Sequence, residues 1–253
     1  MRVGGVCETT GLADEPFGHG LLPGARELRW ATKGWASIVL PHRCTGVMFN
    51  AWSLMTDAPF SALLLAGGRS RRMGCDKALL DWFGQPLWRV QMAKLRELKP
   101  VRLMVACRED QHLGHDCEIE WLLDPPGDES GPMGAIQRAL DEVQMPLLVL
   151  AVDMPWMTPD FMRKQLLDAA PQGEGIFIET DHGPEPMSAI YAPQMLERMN
   201  ISIVEKRLSL QDFVAECVEL NLARLRRADS HETRLFSNAN TPLEWLHEKG
   251  RSE

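Results

Sequence analysis

Hydrophobic and polar positions fall into two regimes along this chain. Before residue 58 there is no sustained helical or alternating apolar period, apart from the short run Ile38-Val39-Leu40 ending at Pro41. From Ser61 onward the pattern is regular. Ala62-Leu63-Leu64-Leu65 is a continuous apolar run that stops at Gly67-Gly68, as a strand buried on both faces of a parallel sheet does. Leu147 through Val152 is the most apolar run and predicts a central strand, ended by Asp153. Further strands are expected at Val101–Ala106, Ile119–Leu123, Ile176–Glu179, Met187–Tyr191 and Val218–Leu220.

Helices fit between these runs. Pro86–Leu98 carries Leu87, Val90, Met92, Leu95 and Leu98 at roughly helical spacing, and Pro132–Val143 opens with proline in its first turn. Thr158-Pro159 reads as a cap followed by proline at the first helical position, starting a helix to about Ala170. Others are expected near Pro193–Asn200 and Ser209–Glu216, with a last one starting at Thr241-Pro242. Such alternation predicts an α/β, Rossmann-like three-layer sandwich with a mostly parallel central sheet. Ligands of these sheets bind beyond the carboxyl ends of the strands, so chemistry is expected in the loops after Leu65, Leu123 and Val152.

Composition adds a boundary and a compartment. The chain has 253 residues, 45% hydrophobic and 25% charged, with a formal net charge of −8. In residues 1–57, Arg2, Arg26, Arg29, Lys33 and Arg43 balance Glu8, Asp14, Glu15, Glu27 and Asp57, so the whole −8 belongs to 58–253. Segment 1–57 reads as a disordered tail, a small appendage or the product of a start codon set too early. It is expected to be poorly ordered and apart from the chemistry, and Met55 stands just before the first strand. The acidic balance argues against a broad nucleic-acid surface, and no uncharged apolar run reaches the ~18 residues a membrane span needs. Scattered cysteines without CxxC spacing fit a reducing, cytoplasmic setting.

The loop after the first strand carries the sharpest signal: Leu65-Ala66-Gly67-Gly68-Arg69-Ser70-Arg71-Arg72-Met73-Gly74-Cys75-Asp76-Lys77. Glycines let backbone amides approach phosphate oxygens, and the cluster of three arginines and a lysine suits a polyphosphate. Neither GxxxxGK[ST] nor GxGxxG is present. Asp153, at the end of the most apolar strand in Ala151-Val152-Asp153-Met154-Pro155, is placed to hold Mg²⁺, a hard cation that prefers oxygen ligands. His112, His115 and Cys117 form H-x-x-H-x-C without a second ligand pair, which argues against zinc. Cys75 has no neighbouring base to make it a nucleophile.

The string L-A-G-G-x-S-x-R-M-G-x-D-K resembles the signature of nucleotidyltransferases with a glycosyltransferase-A-like, nucleotide-diphospho-sugar transferase-like fold. Its Gly-Gly and Asp-Lys form is most similar to the molybdenum cofactor guanylyltransferases, and the resemblance covers residues 61 to about 249. It makes 58–253 the nucleotidyltransferase domain. It implies that Leu65, Ala66, Gly67 and Gly68 contact the nucleotide, that Lys77 neutralises the triphosphate, and that Arg72 faces the phosphate-bearing substrate. It assigns Asp124, before the Ser130-Gly131-Pro132-Met133-Gly134 turn, to the nucleotide, and Asp153 to Mg²⁺. Asn238 and Asn240 of Asn-x-Asn-Thr-Pro belong to the active site by the same likeness, and Glu185–Tyr191 borders the acceptor pocket, with Glu205-Lys206-Arg207 offering basic groups. The implied partners are GTP and molybdenum-molybdopterin, with transient contact to apo-molybdoenzymes or their chaperones. A cytidylyltransferase, another small-molecule nucleotidyltransferase and a non-catalytic cofactor-delivery protein remain the alternatives.

Overall fold

The computed structural model describes residues 59–68, 76–114, 116–169 and 173–237. The segment 1–57 and the helix expected from Thr241 lie outside the described residues. In chain order the elements are β1 (Ser61–Leu65), a 3-10 turn (Lys77–Leu79), β2 (Asp81–Trp82), β3 (Gln85–Pro86), α1 (Leu87–Glu97), β4 (Leu103–Cys107) and β5 (Glu120–Leu123). Then come α2 (Gly131–Val143), β6 (Leu147–Ala151), α3 (Pro159–Ala169), β7 (Gly175–Thr180) and β8 (Gly183–Tyr191). A 3-10 turn (Pro193–Met195), α4 (Leu196–Val204), α5 (Leu210–Glu219), β9 (Ala223–Arg227) and a 3-10 turn (Thr233–Phe236) follow.

The main sheet runs in the order β5-β4-β1-β6-β8-β7-β9. β1 is parallel to both neighbours, with Leu65 opposite Ala106 on one side and Ala151 on the other. β5 extends this parallel block, β9 is parallel to β7, and β8 runs antiparallel to β6 and β7. The sheet is therefore mostly parallel, as the alternation predicts, with the reversal at β8.

Continuous apolar strands need cover on both faces, and the structure supplies it. One face sets Leu64, Val105, Leu150 and Ile178 in a core with Leu87, Met92 and Leu95 of α1 and Met162 of α3. The other sets Leu63, Met104, Val149 and Phe177 in a core with Ile136 and Leu140 of α2, Met199 of α4 and Phe213 of α5. The side-chain alternation of a strand divides the two sets.

One expected element is corrected. Val218–Leu220 is not a strand: it forms the last turn and C-cap of α5, whose Leu210, Phe213, Val214 and Cys217 are buried at helical spacing. The strand lies further on, at Ala223–Arg227, where arginines hide the alternation. β8 also starts earlier than Met187, at Gly183, because Pro184 and Pro186 interrupt its apolar pattern without ending the pairing.

The polar side chain on the inner face of α1 links fold to site. Gln91 is fully buried, and its amide donates to the carbonyl of Met154 at 2.7 Å, with longer approaches to Val152 and Ala151 at 3.4 and 3.5 Å. It thereby holds the chain as it leaves β6. Gln91→Leu removes the donor and leaves buried carbonyls unsatisfied. Urea denaturation is expected to show a loss of about 1–3 kcal/mol; an unchanged midpoint would show that these carbonyls find other partners.

Candidate active site

Because β1, β4, β5 and β6 run the same way, their carboxyl ends share one edge. The backbone keeps its register just past them. The amides of Ala66 and Gly67 both donate to the Ala106 carbonyl at 2.9 Å, Val152 donates to Leu65 at 3.1 Å, and Asp124 donates to Cys107 at 2.9 Å. Ala66–Gly68, Arg108, Asp124 and Asp153 are thus aligned along this edge. Gly67 has a steric reason to be glycine: a Cβ there would come within 3.1 Å of Asp124 Oδ2.

Lys77 and Asp153, 76 positions apart, meet with Nζ 2.8 Å from Oδ2, and both side chains are largely shielded. The residue before the lysine is held from two directions. Asp76 Oδ1 accepts from the Ala78 amide at 3.0 Å, which starts the 3-10 turn. Its Oδ2 accepts from Gln111 Nε2 at 2.7 Å and from Arg108 at 3.3 Å. The same Gln111 amide donates to the Ala66 carbonyl at 2.9 Å, and Arg108 donates to that of Gly68 at 2.6 Å. These two residues tie the start of the glycine-rich loop to its far end. On the β6 side, Lys94 of α1 donates to the Pro155 carbonyl at 2.6 Å, and burial pushes its ammonium down to about 8.

A cavity of about 1060 Å³ opens at this edge. Leu65, Gly67 and Gly68 form one wall; Arg108, Asp124–Glu129, Gly131 and Pro132 contribute the others. Arg138 of α2 donates to two of these lining carboxylates, Asp124 Oδ1 at 2.8 Å and Asp128 Oδ2 at 2.6 Å. Burial pushes the Asp124 carboxyl above the ordinary carboxylate value, with Arg138 the principal counterweight. Although burial also opposes ionisation of Asp128, hydrogen bonds from Ser130 and Arg138 hold it below its ordinary value. The Cys107 thiol beside them is pushed up to about 11, by burial first and then by the Asp124 charge, so it is a poor nucleophile.

The structure therefore brings Leu65, Ala66, Gly67, Gly68, Lys77, Asp124 and Asp153 to one edge of the sheet. Arg72, Asn238, Asn240, Cys75 and His115 lie outside the described residues. Glu185 is half-buried on β8, accepts from Thr180 Oγ1 at 3.2 Å, and is pushed upward by burial. Arg207 is engaged by Glu205 and Glu216. Among the described residues no three of His, Cys, Asp and Glu form a metal-binding group, and no helix is long and apolar enough to cross a membrane. Sequence reasoning missed Arg108, Gln111 and Arg138. Arg108 could have been found, since it directly follows the buried strand β4, much as Asp124 follows β5 and Asp153 comes just past β6.

Known proteins share this fold and much of the sequence. Residues 62–219 match the MobA-like NTP transferase domain. A probable molybdenum cofactor guanylyltransferase of Opitutus terrae is 31% identical over 183 residues, spanning 71% of this chain and 89% of that protein. One from Synechococcus elongatus is 28% identical over 193 residues, spanning 74% of this chain and 96% of the relative. In fold, the chain resembles the molybdopterin-guanine dinucleotide biosynthesis protein A of Archaeoglobus fulgidus, at 21% identity and a TM-score of 0.60, over 76% of this chain and 98% of that one. With the domain match spanning most of the chain and relatives aligned over nearly their full lengths, this protein belongs to the MobA-like NTP transferase family.

Proposed function

We propose that the protein transfers GMP from GTP to the phosphate of molybdenum-molybdopterin, forming molybdopterin guanine dinucleotide cofactor and releasing pyrophosphate. The observation that carries this reading is the pairing of Lys77 with Asp153 beside the glycine-rich loop, in a chain whose relatives bear the guanylyltransferase name. A phosphate oxygen of the acceptor attacks the α-phosphorus of GTP as the bond to the β-phosphate oxygen breaks, and pyrophosphate leaves with that electron pair. Such a step asks for alignment and charge neutralisation, with no covalent enzyme intermediate.

Each residue has a part in this reading. Leu65, Ala66, Gly67, Gly68 and Asp124 bind the nucleoside and phosphates, Lys77 balances the triphosphate charge, and Arg72 faces the acceptor phosphate. Asn238 and Asn240 complete the site. Nucleotidyltransferases of this family generally use a divalent metal. A single strand-end carboxylate suits Mg²⁺, which keeps several waters and takes its other ligands from substrate phosphates. Asp153 would hold it, and the ion would offset charge on the leaving pyrophosphate. The reaction is assigned to the cytoplasm, with product passing to apo-molybdoenzymes or their chaperones, and catalysis is assigned to 58–253 without a part for 1–57.

Pyrophosphate release measured with GTP, CTP, ATP and UTP, with and without molybdopterin, tests the reading. Release is expected with GTP only when molybdopterin is present; preference for CTP would make the protein a cytidylyltransferase, and binding without turnover a carrier. Asp153→Asn keeps shape and removes charge, so turnover should fall by about 10²–10³ at an almost unchanged melting temperature. Near-normal turnover at saturating Mg²⁺ would remove Asp153 from the mechanism. A chain beginning at Met55 is expected to keep full activity and the same melting temperature; loss of either would give 1–57 a part in the domain.

A further inference from the structure

The mechanism leaves one partly buried contact unused. Arg138 stands on the second turn of α2 and reaches two carboxylates of the cavity wall, Asp124 at the end of β5 and Asp128 in the loop that follows. Its Nε is buried and has no hydrogen-bond partner among the described residues, so it is committed through its two terminal nitrogens. Asp128 in turn accepts from the Ser130 amide at 2.8 Å and from the Ser130 hydroxyl, directly before α2 begins. One guanidinium therefore joins strand end, loop and helix. A rigid fork with two fixed donors fits this geometry better than a flexible ammonium.

We propose that Arg138 is a positioning residue of the nucleotide site: by forking between Asp124 and Asp128 it keeps Asp124 ionised and aimed, so the wall presents a fixed acceptor to the N–H donors of the nucleoside. The proposal rests on the reading of this cavity as the nucleotide pocket. Asp124 needs such support because burial favours its neutral form. The charged and titratable groups that act on it are Arg138 from α2, Asp128 from the loop, and Arg108 and Cys107 from the end of β4. Asp128 opposes ionisation, and Arg108 is already engaged with Asp76, Asp110 and the Gly68 carbonyl. Arg138 is thus the cation that makes a direct hydrogen bond to Asp124 among the described residues.

The sign of the effect follows. Removing Arg138 raises the Asp124 pKa further, so the carboxylate is lost at a higher pH than in the parent protein, and any ligand that donates to it binds less tightly on the acid side. Arg138→Met keeps the stem and removes the charge; Arg138→Lys restores charge without the fork. Two measurements test this. Carboxyl NMR of the ligand-free proteins should show Asp124 titrating about one unit higher in Arg138→Met and close to the parent in Arg138→Lys. Calorimetric GTP titrations from pH 5.5 to 8 should show Arg138→Met up to about fivefold weaker at the acid end, with the gap closing toward pH 8, and Arg138→Lys between the two. A purely structural role would lower the melting temperature and weaken binding equally at every pH. An Asp124 titration unmoved by Arg138→Met overturns the proposal. If instead Asp124 shifts as expected but the parent protein does not bind GTP, the nucleotide reading fails while the electrostatic role of Arg138 stands.

Discussion

A strand in the middle of a parallel sheet must satisfy its backbone groups on both sides at once. β1 does so between β4 and β6 with five residues that are all buried. Losing register on either side would leave buried amides and carbonyls unpaired, which is costly where water cannot replace them. This double pairing sets where the glycine-rich loop begins, relative to Arg108 on one flank and Asp153 on the other. The buried amide of Gln91 then fixes the direction in which the chain leaves β6. Lys77 and Asp153 can meet because these constraints act at the same edge, although neither residue lies in a strand.

The charge arrangement resolves an apparent conflict between an acidic protein and a triphosphate substrate. Three described cations at this edge face carboxylates: Lys77 with Asp153, Arg108 with Asp76, Arg138 with Asp124 and Asp128. Local positive charge is therefore stored in pairs and does not accumulate as self-repulsion before the nucleotide arrives. In the proposed reaction, phosphate oxygens and a divalent ion would offer each member of the first pair a new partner of the right sign.

Much of this was legible in the sequence, for physical reasons that can be named. Strands buried on both faces must be apolar throughout, so β1 and β6 stood out as runs, and their ends pointed to Gly67 and Asp153. Helices α1, α2 and α3 announced themselves through spacing and through proline near their starts. Segments with mixed environments did not. The β2–β3 hairpin is two residues per strand, too short for any period to register. Val218 and Leu220 read as extended because the end of α5 is apolar, while β9 is masked by its arginines. At the site, Gln111 and Arg138 were illegible because a single polar residue on a loop or helix looks like a solvated one. Their partners, Asp76, Ala66, Asp124 and Asp128, become neighbours only through the sheet.

Among the described residues, the β9 edge of the sheet has a bearing on how the protein behaves at high concentration. β9 reads Ala-Arg-Leu-Arg-Arg, and its arginines are engaged by Glu174, Glu232 and Asp181 respectively. A foreign strand docking on that flank would have to strip solvent from the exposed Arg224–Glu174 and Arg227–Asp181 pairs while gaining little apolar contact. Sheets end safely in this manner, since backbone hydrogen bonds alone do not repay such desolvation. The residues that hid β9 from the hydrophobic pattern are thus the ones that keep the sheet from growing into its neighbours.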